Sequence, residues 1–242
     1  MRDLSFKYCF KLADGTEENF NFLVSGKTLK LVNDIPVDPP VWINLEYHQC
    51  PNCPLDKGVI IAYCPLAVNI LPVVERFSRV LSYDTVHVEA IENDRLTSQD
   101  TSAQMGVSSL IGLLIAASGC PLTDFFKPMV RFHLPFATEE ETLWRATSTY
   151  LISKYLLKKK GFDPEIELKG LSEIYENIRL LNVAISNRLQ AATEKDSTLN
   201  ALVVLDVFAA SLSLKIEEFW EENENIFMPF LKSRIEKKKN KA

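Results

Sequence analysis

The spacing of apolar residues changes once along this chain, near Asp100, and that change sets the fold class open to it. Before it, Phe6, Tyr8 and Phe10 alternate with Lys7 and Lys11, and Phe20, Phe22 and Val24 resume the alternation beyond Asp14-Gly15. Successive side chains of a strand point to opposite faces, so this is a hairpin with one apolar face and its turn at Asp-Gly. Residues 27–32 read as a third short strand, and Asp38-Pro39-Pro40 breaks it before residues 41–47. The β-branched run 59–63 reads as a buried strand, and Val86, Val88 and Ala90 mark another over residues 85–91.

Beyond Asp100 the period is helical. Residues 103–118 read as a buried helix stopped by Gly119. Thr138-Glu139-Glu140-Glu141 is a capping box, opening a helix that runs to Lys158-Lys159-Lys160 and closes at Gly161 and Pro164. Leu171, Ile174, Tyr175, Ile178, Leu181, Ile185 and Leu189 mark the clearest amphipathic helix, and Leu199, Leu202, Leu205, Ala209, Leu212, Ile216 and Phe219 mark another. The expected class is α+β. An amino-terminal antiparallel sheet (1–46) leads to a cysteine-bearing middle (47–100) and a helical bundle (101–242), the last two able to form one continuous domain.

Composition narrows the function classes. Hydrophobic residues make up 47% and charged residues 24% of the chain, which excludes a disordered or low-complexity protein. A net charge of -5 argues against a nucleic-acid binder that neutralises phosphates. The basic end, with Lys237, Lys238 and Lys239 in a run, reads as a solvated helix terminus. Met1-Arg2-Asp3 is charged and no secretory h-region follows. Residues 101–123 carry no charge, yet five polar residues interrupt them, and a buried helix is expected there instead of a membrane span. The expected setting is therefore cytoplasmic, with reduced thiols.

The chemically pointed feature is Cys50-Pro51, Cys53-Pro54, Cys64-Pro65 and Cys120-Pro121, four of the five cysteines each followed by proline. Proline fixes its own φ and holds the preceding cysteine extended. Four sulfurs held this way satisfy the count for tetrahedral zinc or an iron–sulfur cluster, with His48 a candidate fifth ligand. Against a zinc ribbon, Pro54 stands where a knuckle wants a residue with an amide N–H and freedom at φ. Against a ferredoxin, the compact cysteine run is missing. The redox alternative uses Cys50-Pro51-Asn52-Cys53, which looks like the CPxC motif of glutaredoxin-type proteins and requires a lowered thiol pKa. Pro54 and Gly58 leave no room for the helix that lowers it there. Cys9, within a strand, reads as facing outward or toward the hairpin partner and stands outside the set.

Other candidates are thin. His87 alternates with apolar neighbours and reads as facing solvent or the opposite sheet face, and His133 reads as a positive helix-end residue. The polar cluster of Ser98, Gln99, Asp100, Thr101 and Gln104 reads as helix capping. Asp206 lies among apolar residues, either exposed or buried and wanting a partner. No nucleophile elbow, P-loop or dinucleotide fingerprint occurs.

The segments His48-Gln49-Cys50-Pro51-Asn52-Cys53-Pro54-Leu55, Tyr63-Cys64-Pro65-Leu66-Ala67-Val68-Asn69, Ser118-Gly119-Cys120-Pro121 and Phe125-Phe126-Lys127-Pro128 together resemble an uncharacterised bacterial protein family. The resemblance implies a bacterial cytoplasmic setting and carries no catalytic residues. The expectation is a non-catalytic binding or regulatory protein organised by Cys50, Cys53, Cys64 and Cys120 around zinc or an iron–sulfur centre. A thiol redox enzyme or sensor using Cys50 and Cys53 is the alternative. A protein partner, or a second copy docking on the Leu171–Leu189 stripe, is the weaker expectation beside that stripe's use as core.

Overall fold

Two hairpins build the sheet. The computed structural model describes residues 1–32, 35–55, 61–190 and 196–232, apart from the side chains of Lys215 and Glu217. Strands β1 (Leu4–Leu12) and β2 (Glu17–Val24) form the first hairpin, and β3 (Thr85–Glu92) and β4 (Arg95–Ser102) the second. They join as one antiparallel sheet in the order β2-β1-β3-β4. Tyr8 stands opposite Phe20 and Ala90, and Phe10 opposite Val88, so the alternating apolar residues of three strands share one face. The domain division of the sequence is crossed here, since the middle segment supplies half the sheet.

β4 corrects the reading of residues 98–101 as a capping cluster. It is an edge strand, mostly exposed, and so shows no apolar alternation. Its turn is Asn93-Asp94, with Asn93 at φ 53, a left-handed conformation that asparagine tolerates. The first amides of the following helix, α2 (Ala103–Ala116), donate instead to the carbonyls of Asp84 and Ser82, at 2.8 and 3.0 Å.

The strand assignments between residues 27 and 63 also change. Residues 27–32 contribute only a bridge between Val24 and Leu31, and Val41–Ile43 is a short 3-10 turn. Tyr63 makes a single bridge to Asn44, while residues 59 and 60 lie outside the described residues, as does the basic run 237–239. Helix α1 (Pro65–Arg76) was not expected: Pro72 inside it reads as a breaker, although Leu66, Ile70, Val73 and Val74 recur at helical spacing and are buried.

α2 is buried on nearly every side, between the sheet and α6 (Ser197–Glu222). Gly106 permits the close approach. A Cβ there would stand 2.8 Å from Val88 Cγ2 and 3.1 Å from Phe10 Cε1, both in the sheet core. Gly106→Val should therefore lower stability by about 2–3 kcal/mol through overpacking, read as a lower urea midpoint at unchanged slope.

The remaining helices are α3 (Lys127–Arg131), α4 (Glu139–Lys159) and α5 (Lys169–Gln190). The capping box of α4 is complete: Glu141 N–H donates to Thr138 Oγ1 at 3.2 Å, and Thr138 N–H donates to Glu141 Oε2 at 2.8 Å. On α5 the stripe Leu171, Tyr175, Ile178, Leu181, Ile185 and Leu189 is buried in the core, so it is not a free docking face. Ser197–Leu214 is long and apolar enough to cross a membrane by length and composition, and 33% of it is buried within the fold, where α6 packs on α5 and α2.

Candidate functional site

The cysteine region is assembled on α5. Arg188 sits within that helix's apolar stripe and is 1% exposed. Its Nη1 donates to the carbonyls of Trp42 and Asn44, at 2.8 and 2.6 Å, and its Nη2 to that of Leu45 at 2.8 Å. The segment so held pairs with the chain leading into α1: Leu45 N–H donates to the Ala62 carbonyl and Cys64 N–H to that of Ile43. A second tie comes from Asn52, whose Nδ2 donates to Asn177 Oδ1 on α5 at 3.0 Å.

The prolines act as the dihedral argument requires. Cys64 precedes α1 at φ -68, ψ 117, with Pro65 in the first helical position. Cys120 precedes the 3-10 turn Pro121–Phe126 at φ -65, ψ 128. Proline lacks the N–H that a helix start leaves unpaired, so two of the four Cys-Pro steps are helix openings. Cys50 and Cys53 bracket a tight turn in which Cys53 N–H donates to the Cys50 carbonyl at 3.0 Å.

All four cysteines line one cavity of about 10 Å³, walled by Leu45, Leu66, Leu122 and Ile185 and closed by Arg188. That volume admits one water or one ion. Cys64 and Cys120 are buried, Cys50 and Cys53 half-buried, and every thiol is free. Cys120, 56 residues from its nearest companion in sequence, thus joins the other three. His48 does not: it is exposed, its ring set edge-on to Tyr47 and outside the cavity wall. Cys9 is likewise elsewhere: it is buried in β1, on the sheet face opposite Tyr8 and Phe10 and across from Asn19 of the hairpin partner. Among the described residues no three His, Cys, Asp or Glu side chains are arranged, as they stand, to hold a metal ion.

Electrostatics at the cavity are unusual. Burial first, then the neighbouring Cys64 and Cys53, push the Cys50 thiol up to about 11, with Arg188 opposing. Burial pushes Cys120 up to about 12. Both are protonated at neutral pH, and Cys50 does not meet the requirement of a lowered thiol pKa for redox chemistry. Arg188 has no acid partner among the described residues, and its Nε is buried without a hydrogen bond. Among the described residues the cavity wall contains no Asp or Glu, so the groups there able to become anionic are the four sulfurs.

His133 corrects a second expectation. Instead of a positive helix-end residue it is buried, its Nε2 hydrogen-bonded to the Tyr8 hydroxyl at 2.6 Å. Burial, and secondarily the charge of Arg145, push its pKa down to about 3, so the imidazole is neutral. The same Tyr8 hydroxyl lies 3.2 Å from Ser109 Oγ, which accepts from Phe136 N–H. This network joins the sheet to α2 and the loop after α3. His87 stays half-exposed on the opposite sheet face beside Glu89 and Asp100, and Asp206 is half-buried with Arg179 Nε at 4.0 Å.

Sequence reasoning passed over Arg188. Its signal was a charged residue seven positions after Leu181 and three after Ile185, inside an otherwise apolar stripe.

No curated protein and no solved structure matches the chain significantly. One family model does match, over residues 6–228, and its family is described as a domain of unknown function. On that extent of agreement, the chain belongs to the DUF6901 family.

Proposed function

We propose that this protein is a non-catalytic binding or regulatory module whose middle segment is organised by a single-ion thiolate centre at Cys50, Cys53, Cys64 and Cys120. The observation that carries the reading is Arg188, a buried cation with no acid partner among the described residues, at a cavity lined by four cysteines. An unpaired buried charge is costly, and a tetrathiolate around a divalent ion is net negative, which offsets it. Zinc is the ion of choice. Four sulfurs suit its tetrahedral preference, and the cavity is too small for a multi-iron cluster. Closing the centre requires the sulfurs to turn inward from their present packing and to lose their protons on binding.

Elemental analysis of anaerobically purified protein should find about one zinc per chain, and Cys64→Ser or Cys120→Ser should lose it. The apo and zinc-bound forms should also differ at alkaline pH. Thiols whose pKa is raised in the fold leave stability intact below the usual value of 9.0 and lose it as pH climbs toward about 11 and 12. Zinc-bound thiolates carry no such loss. Folded, metal-free protein with all thiols open to reagent would overturn the reading. A reversible Cys50–Cys53 disulfide under mild oxidation would replace it with the redox one.

A further inference from the structure

A second, larger cavity of about 220 Å³ lies between α2 and helices α4, α5 and α6, and shares no lining residue with the cysteine cavity. Its walls are mainly apolar, including Leu113, Ile178, Leu205 and Leu212, and its rim reaches solvent beside the exposed Gln99 and Met105. An apolar cavity of ~150 Å³ accommodates a benzene ring, so this one has room for a ring with a short polar extension.

Three features of the wall say what the extension must be. Tyr175 is buried, and its hydroxyl has no hydrogen-bond partner. Asn182 is 1% exposed, and neither its Nδ2 nor its Oδ1 has a partner. Arg145 is the only charged residue lining the cavity among the described residues. Its Nη2 donates to the carbonyls of Met129 and Phe132, both at 3.1 Å, and it forms no ion pair among the described residues. Glu141, whose field reaches it, is committed to the amide of Thr138.

Buried polar atoms without partners are rare in folded proteins, and here they converge on an open volume. Tyr175 and Arg145 influence each other electrostatically and define a pole suited to an anion. Asn182 lies seven residues further along α5, ~10 Å by helical rise, and offers one donor and one acceptor together. A hydroxyl matches that pair, since it can accept from Nδ2 while donating to Oδ1.

We propose that this cavity binds a small carboxylic acid with an apolar, ring-sized body and a hydroxyl at the far end. The carboxylate is held by Arg145 and the Tyr175 hydroxyl, and the ligand hydroxyl by Asn182. The site lies apart from the thiolate centre.

Calorimetric titration of the full chain with para-hydroxyphenylpropionate tests this. The acid should bind with Kd below about 1 mM, and its uncharged amide at least about tenfold more weakly. Phenylpropionate, lacking the hydroxyl, should also lose about tenfold, because Asn182 stays unpaired. Leu212→Trp, which fills the cavity from α6, should abolish binding in a protein that still melts cooperatively. If that variant does not fold, Ala209→Met fills the same wall and is read the same way. Equal affinity for acid and amide, binding that survives a filled cavity, or no binding by about 10 mM would each overturn the proposal.

Discussion

Arg188→Ala should lower the stability of this protein by about 3 kcal/mol, a large fraction of the roughly 5–15 kcal/mol that a folded domain has. The arginine gives three hydrogen bonds to the carbonyls of Trp42, Asn44 and Leu45 in a stretch with little regular structure of its own. Removing the donor leaves two buried acceptors, each costing roughly 1–3 kcal/mol, and a half-buried one, while release of a buried cation offsets part of that sum. Arg188→Lys should recover little. A lysine keeps the charge but cannot present a planar fork to three separate carbonyls. Urea denaturation with both variants and with Arg188→Met provides the check. Should the methionine variant prove more stable than the parent, Arg188 would be a tolerated charge with no organising role, and the case for a compensating thiolate centre would fall with it.

Acid should destabilise the fold through one identifiable residue. His133 is neutral when folded, with its pKa lowered from 6.5 to about 3, whereas in the unfolded chain it titrates near its usual value. Protonation therefore favours the unfolded state. The stabilisation is fully present above pH 6.5 and is lost as pH falls from there through about 3. The whole loss is on the order of 5 kcal/mol, with one proton taken up per molecule unfolded. The groups around the imidazole give it no way to charge in place: Tyr8 is neutral, Phe6 meets it edge-on at 5.6 Å, and Arg145 repels the proton. Stability measured against pH should lose this slope in His133→Gln, which should also be about 1–2 kcal/mol weaker at neutral pH for want of the imidazole's pairing with Tyr8. An unchanged slope in the variant would place acid sensitivity elsewhere.

What could be read ahead of the structure follows from how local each signal is. The Thr138–Glu141 capping box, the stops at Gly119 and Gly161 and the apolar stripe of α5 are settled within a few residues of chain, and all stand as read. α1 and β4 are not local in this sense. In one an internal proline masks the helical spacing of Leu66, Ile70 and Val73, and the other is an edge strand with little to bury. The site divides the same way. The extended cysteines follow from their prolines, but the approach of Cys120 to the rest depends on how the turn Pro121–Phe126 packs on α5. The orphan atoms of Tyr175 and Asn182 have no sequence signature at all, because both residues sit where an ordinary core helix places buried side chains.

α5 is the wall common to two cavities: Leu181, Ile185 and Arg188 face the cysteines, while Tyr175, Ile178 and Asn182 face the larger space. A helix moves as a nearly rigid rod, so a shift of its position imposed at one cavity is felt at the other. Thermodynamic linkage then makes the effect mutual. Whatever factor an ion at the thiols applies to the affinity for a small acid, the acid applies to the affinity for the ion. Measuring the titration with and without zinc gives that factor directly, and with it the degree to which the chain reports one solute to the other.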